Sequence, residues 1–298
     1  MLLLTGATGL VGSAVRRRLT AARVPVRCLV RDPRRLGPDR VRVQIALGDL
    51  ADPPSFRNAL RGVTTVVHLA AAIRDQPRGS IEELNGIATW RMVQAAEAAG
   101  VTRFVFFSAL GATAHDRTRF LRAKALAERA VIESAIPEPV VMAPSIVYAP
   151  GDVFMTLLSR MAIAPVVPVS GRGRARYQPI WAEDVADAVI ALLDAARPDA
   201  RYELAGPEVV DHTEIIRRLL AAAGRPRPLV HVPTPIVSRA LRATEAILKS
   251  KAPATWDEAE LMEVSMVSAR GTADAQLLGV RPGSMAEVLG LEDDLLPV

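Results

Sequence analysis

The chain of 298 residues has a single cysteine, Cys28, which excludes both a disulfide framework and a cysteine metal cluster. Cys28 alternates with apolar neighbours and reads as a buried strand residue. Aromatic residues make up only 4% of the chain, too few to build stacking platforms for single-stranded nucleic acid. No hydrophobic run approaches the length of a membrane span, which leaves peripheral contact with a membrane surface open. The first residues are apolar but lack the basic region and cleavage site of a signal peptide, so a cytoplasmic location is expected. Lysine is scarce too. Of 37 basic residues only Lys124, Lys249 and Lys251 are lysines. The pI of 9.9 accompanies a net charge of only +5. The arginines are scattered, so no nucleic-acid partner is expected, and with a single cysteine no metal is expected either. In a chain that uses arginine almost everywhere, a lysine marks a position where a compact, titratable ammonium serves better.

What the chain has in quantity is apolar residues, 50% of the total, enough for a large domain and a small one. Its first dozen residues organise the rest. Leu2 to Leu4 form an unbroken apolar run, the pattern of a strand buried on both faces of a parallel sheet. Gly6, Gly9 and Gly12 follow at the spacing Gly-x-x-Gly-x-x-Gly. From Leu10 the pattern turns helical, with Val11, Val15 and Leu19 on one face. A glycine turn between a buried strand and a helix N-terminus presents backbone N–H groups and the positive helix end to an anion. The missing side chains let a pyrophosphate approach. The segment Thr5–Gly12, including Thr8, Leu10 and Val11, therefore reads as the phosphate turn of a dinucleotide-binding domain.

Further strands are expected at 24–30, 41–47, 64–69, 103–108 and 138–142. They alternate with helices at 53–60, 80–100 and 119–135, the rhythm of a doubly wound parallel α/β sheet of Rossmann type with right-handed crossovers. The end of the second strand meets the adenosine ribose in such folds. Arg31 stands there, with Arg34 and Arg35 behind it, which favours a 2′-phosphate and hence NADP(H). Asp32, one step on, argues for NAD(H). Small residues at Ala70 and Ala71 allow a cofactor to lie close over the sheet. Beyond Pro150 prolines crowd in and the rhythm changes. We divide the chain into a nucleotide-binding domain at 1–165 and a smaller, mostly helical substrate-side region at 166–298, with 176–205 returning to the core. Amphipathic helices are expected at 212–223 and 235–249 and a short one at 277–289.

Together these landmarks resemble the extended or atypical short-chain dehydrogenase/reductase superfamily, in particular its NAD(P)H-binding branch similar to the accessory Rossmann subunit of respiratory complex I. The resemblance implies that Asp49 and Leu50, in Gly48-Asp-Leu50, contact adenine. It also implies that Asn85 opens the long helix beside the cofactor and that Ser108 ends the serine-bearing strand. The family's Tyr-x-x-x-Lys pair is represented here by Phe120 and Lys124, so the ring persists and the titrating hydroxyl is lost. Proton transfer by a positioned group is worth about 10²–10⁴ in rate, so another donor is needed. Lys124 is the first candidate, since isoflavone-reductase-like members of the superfamily are thought to use a lysine without a tyrosine. Tyr148 and His115 are the others, with Ser108 as an orienting group. Each also has a plainer role: Lys124 as a ribose ligand, Tyr148 in packing, His115 in a surface loop. His68 reads as structural and His212 as a helix cap. Two functions fit. One is an NADP(H)-dependent oxidoreductase acting on a small carbonyl, enone or quinone-like substrate. The other is a non-catalytic NADP(H)-binding protein, structural or redox-sensing, that works through a protein partner. A monomer or a homodimer suits either.

Overall fold

The computed structural model describes residues 1–248 and 254–291. Seven parallel strands form the central sheet: β1 (Leu2–Thr5), β2 (Val26–Val30), β3 (Gln44–Leu47), β4 (Thr65–His68), β5 (Arg103–Phe107), β6 (Glu138–Pro144) and β11 (Arg201–Leu204). Their order is β11-β6-β5-β4-β1-β2-β3. The order reverses between β1 and β4, where a crevice opens beyond the carboxyl ends of the strands, the switch point of a doubly wound sheet.

The uninterrupted apolar reading of β1 has a physical cause. Leu2 and Leu4 pack with Val67, Val105 and Val140 on one face, whereas Leu3 packs with Phe104, Phe106 and Met92 on the other. Both faces are covered, so no polar alternation survives. The first face is closed by α1 (Leu10–Ala21) and α6 (Ala182–Asp194), clamped together by Arg17 and Arg18 on Glu183 and by Arg18 on Asp187. The second is closed by α2 (Pro53–Phe56), α3 (Ala88–Ala98) and α4 (Arg119–Ile132). Thr118 starts α4 by accepting from the Leu121 N–H, a standard stabilising N-cap.

Short strands and helices build the remainder: β7 (Val147–Tyr148), β8 (Val167–Ser170), β9 (Arg176–Tyr177), β10 (Ile180–Trp181), β12 (Val210–Asp211), β13 (Leu229–Val232), α5 (Val153–Met161), α7 (His212–Ala222), α8 (Thr234–Leu248), α9 (Trp256–Leu261), α10 (Ala273–Leu277) and α11 (Met285–Leu289). Three two-stranded ribbons, β7 with β10, β9 with β12 and β8 with β13, make this part less purely helical than its sequence pattern suggests. Its own apolar core joins Leu158, Val167, Tyr177, Ile215 and Leu219. Among the described residues no helix is long and apolar enough to cross a membrane.

Several boundaries differ from the sequence reading. The third strand begins at Gln44, because residues 33–42 wind into 3₁₀ turns started by Asp32. The long helix opens with a π-helical turn at Glu83–Ile87. The single closing helix is two short ones, α10 and α11, with Pro282 between them. Lys249, Lys251 and the last residue of the helix expected at 235–249 lie outside the described residues.

Candidate active site

Gly6 adopts φ +69°, and a Cβ there would lie 2.7 Å from the backbone of Leu69 and Ala70. A Cβ on Gly12 would overlap the Gly6 carbonyl. The turn thus folds tightly against both β4 and the first turn of α1, which only glycine allows at those two places. Gly9 is the N-cap of α1 and supplies no side-chain cap, so the first N–H groups of the helix face outward without an intrahelical acceptor. An uncapped helix N-terminus behind a glycine cradle fits a pyrophosphate.

Beneath the turn runs a buried polar chain. The Thr5 hydroxyl lies 2.9 Å from His68 Nδ1 and 3.4 Å from the Ala70 N–H. His68 Nε2 lies 3.1 Å from the Thr89 hydroxyl, which donates to the Asn85 carbonyl at 2.6 Å. The Thr89 proton is therefore committed, so Nε2 carries the imidazole proton and Nδ1 accepts from Thr5. Asn85 closes the chain by accepting from the Ala72 N–H and donating to the Ala72 and Ile81 carbonyls. Burial, aided by the charge of Lys124, pushes the His68 pKa down to about 3. His68 is neutral and structural, and Thr5 and Asn85 brace the floor of the site.

The facing wall comes from β5 and α4. Lys124 Nζ is fully buried, donates to the Phe107 carbonyl at 2.6 Å and lies over the rings of Phe106 (4.8 Å) and Phe120 (5.6 Å). Burial lowers its pKa to about 7, against an opposing pull from Glu128. Ser108 and Tyr148 bring buried hydroxyls with no hydrogen-bond partner among the described residues. Burial, reinforced by Asp184 and Glu208, drives the Tyr148 phenol upward, so it stays protonated. His115 is exposed in its loop, away from this wall.

A cavity of about 840 Å³ joins these parts. It runs from Gly6, Gly9, Leu10, Val11, Gly12 and Ala71 past Ser108, Phe120, Lys124 and Tyr148 into the apolar core of the C-terminal part. Arg74 and Glu258 pair across its wall at 2.7 Å, tying the loop after β4 to α9. Two polar residues that sequence reasoning did not assign to the site stand in the far wall. Ser170 Oγ and both ring nitrogens of His212 are buried there without a partner among the described residues. The helix cap expected at His212 is supplied by Asp211 instead. The spacing of His212 with Ile215, Ile216 and Leu219, all lining the cavity, is one helical face and was the signal that could have placed the histidine inside.

The adenosine end is more open. Thr8 is half-buried, and Arg31, Arg34 and Arg35 are exposed. Arg31 donates to Gln76 at 3.1 Å, while Asp32 accepts from the Arg34 N–H as a cap. Asp49 is engaged through both carboxylate oxygens, by the Ala51 N–H and by Arg78 at 2.8 Å. Leu50 is partly buried against the second-face core, and the Ala70 N–H is turned to Thr5.

A family model described as NAD(P)H-binding matches residues 6–151. The mitochondrial NADH dehydrogenase [ubiquinone] 1 alpha subcomplex subunit 9 of Arabidopsis thaliana is 28% identical over 90% of this chain and 68% of its own length. An NAD(P)H azoreductase of Xenophilus azovorans is 30% identical over 76% of this chain and 75% of its own. Among solved structures, the NADPH-dependent quinone oxidoreductase QOR2 of Escherichia coli, complexed with NADPH, superposes with a TM-score of 0.73 at 18% identity. That match covers 97% of this chain and 99% of the other, and shows the same fold.

Proposed function

The chain belongs to the NAD(P)H-binding branch of the short-chain dehydrogenase/reductase superfamily, and from that premise we propose that it is an NADP(H)-dependent reductase of a small carbonyl, enone or quinone-like acceptor, with Lys124 as proton donor. The observation that carries this reading is a buried lysine with a pKa near 7 in the wall of a cavity that begins at the glycine turn. Gly6, Gly9 and Gly12 fit the pyrophosphate, and the exposed Arg31, held among the described residues only by Gln76, would meet a 2′-phosphate, while Asp32 is spent as a cap. A nicotinamide cofactor held by the glycine turn would supply the hydride. Ser108 and Tyr148 hold the acceptor oxygen with hydroxyls that no described residue engages. Lys124 then gives that oxygen its proton, a transfer for which a pKa near ambient pH is favourable. The Phe107 carbonyl and the two rings orient the ammonium meanwhile. His212 and Ser170 would receive a second polar group of the acceptor deeper in the cavity.

The test is NADPH oxidation by purified protein against a panel of quinones, azo dyes and enones, with Lys124→Met alongside. Turnover that the substitution abolishes supports the reading. Tight NADPH binding without turnover against any acceptor would overturn it. That outcome would leave the second reading, an NADP(H)-binding protein acting through a protein partner. The observation favouring this alternative is Phe120, which keeps the ring of the usual tyrosine and lacks its proton.

A further inference from the structure

Two sets of arginines in this protein stand in contrast. Those of α1 import acids from elsewhere: Arg16 pairs with Asp39, Arg17 with Glu183, and Arg18 with Glu183 and Asp187. The segments 153–174 and 224–244 are different. They contain seven arginines, at 160, 172, 174, 225, 227, 239 and 242, and no acidic residue. All seven are exposed, and among the described residues none forms an ion pair. Three are held in place without being neutralised: Arg225 on the Ser159 carbonyl, Arg227 on the Ala164 carbonyl and Arg242 over the Trp256 ring. Glu263, beside Gly171, is already engaged by Thr234 and Arg117. Because the whole chain is only +5, its remainder is slightly acidic, and these two segments carry positive charge with no acid of their own.

The two segments are one structural unit, since β8 and β13 pair in parallel. Aliphatic side chains stand exposed among the arginines: Val153 at 86%, Ile163 at 77%, Ile236 at 57% and Val230 at 46%. Exposed aliphatic residues ringed by cations are what an amphipathic surface presents to lipid. The same unit borders the cavity. Val153 and Pro168 are exposed and line it at once, so the apolar interior opens at this face.

The geometry points to the α5–β8 and β13–α8 face as a docking surface for an anionic lipid bilayer, through which apolar ligands dissolved in the membrane reach the cavity. Arginines supply the attraction to acidic headgroups, and Val153, Ile163 and Ile236 insert at the headgroup boundary. A nucleic acid would use the arginines but has no use for the aliphatic residues between them. It is the competing occupant that the experiment must separate.

The experiment is flotation of the full-length protein with vesicles of phosphatidylcholine alone or mixed with phosphatidylglycerol, at low and high salt. Variants are Arg225→Gln with Arg227→Gln, Ile163→Asp, and the control pair Arg40→Gln with Arg42→Gln, which removes the same charge from an exposed site elsewhere. The expected result is binding to the phosphatidylglycerol mixture only, lost in high salt. It weakens about fivefold for each arginine removed from this face, falls with Ile163→Asp and is unchanged in the control pair. No binding, equal binding to the neutral vesicles, or equal loss in the control pair overturns the proposal. So does retention by a duplex oligonucleotide that displaces the vesicles and is insensitive to Ile163→Asp. Unchanged melting temperatures keep the comparison free of folding effects, since every substituted side chain is exposed.

Discussion

Lys124 Nζ lies 2.6 Å from the carbonyl oxygen of Phe107, which ties α4 to the end of β5 immediately before Ser108. The contact fixes the ammonium against two aromatic faces, while burial brings its pKa from 10.5 down to about 7.

Activity and stability should therefore respond to pH in opposite senses. With the ammonium as the proposed proton donor, kcat for acceptor reduction should fall as pH rises through about 7. The folded-state pKa lies below the unfolded one, so the unfolded chain binds the extra proton between about 7 and 10.5, and stability should rise with pH across that window. Lys124→Met should lower kcat about 100-fold or more. It should also flatten both dependences. Rate profiles and denaturant melts at stepped pH check this, and a wild-type stability curve flat between those pH values would refute it.

His68 governs the acid limb. Its pKa is held near 3 against 6.5 when unfolded, so the unfolded state takes up a proton first as pH falls. Stability is complete above 6.5 and is lost progressively toward 3. His68→Gln, which keeps one donor and one acceptor, should remove part of the acid sensitivity whatever it does to stability at neutral pH. The midpoint of acid unfolding measures this.

Tyr148→Phe and Ser108→Ala remove hydroxyls that are buried without a partner among the described residues. Neither substitution forfeits an existing hydrogen bond, so the melting temperature should stay level or rise. Each should cost about tenfold in kcat/KM if the hydroxyl binds the acceptor oxygen. Loss of stability with unchanged turnover would show that the hydroxyls serve packing instead.

The glycines are predicted to be unequal. A Cβ on Gly12 meets the Gly6 carbonyl head-on, while one on Gly9 comes only to 3.3 Å of the same oxygen. Gly12→Ala should abolish NADPH binding and lower the melting temperature, and Gly9→Ala should do less of both. Calorimetric titration of NADPH and NADH, with Arg31→Ala beside them, separates turn geometry from 2′-phosphate recognition. Arg31→Ala should weaken NADPH by about tenfold and leave NADH unchanged.

The sequence alone determined the glycine turn, the alternation of strand and helix and the pairing of Phe120 with Lys124. Each of these is a local pattern, written in residues no more than one or two turns apart. The third strand was read too long because Asp32, Pro33 and Pro38 hold 33–42 in tight turns, an arrangement that the apolar pattern of 41–47 does not register. Tertiary structure decided what surrounds each group. Ser108, Tyr148, Ser170 and His212 come from four separate elements, and no spacing along the chain announces that they share one cavity. Thr5, His68, Thr89 and Asn85 become a chain only when β1, β4 and the long helix are packed. The protonation of Lys124 and the lack of ion pairs, among the described residues, at the seven arginines follow from burial and from which acids lie near. Those are relations between distant segments, and they exist only once the chain has folded.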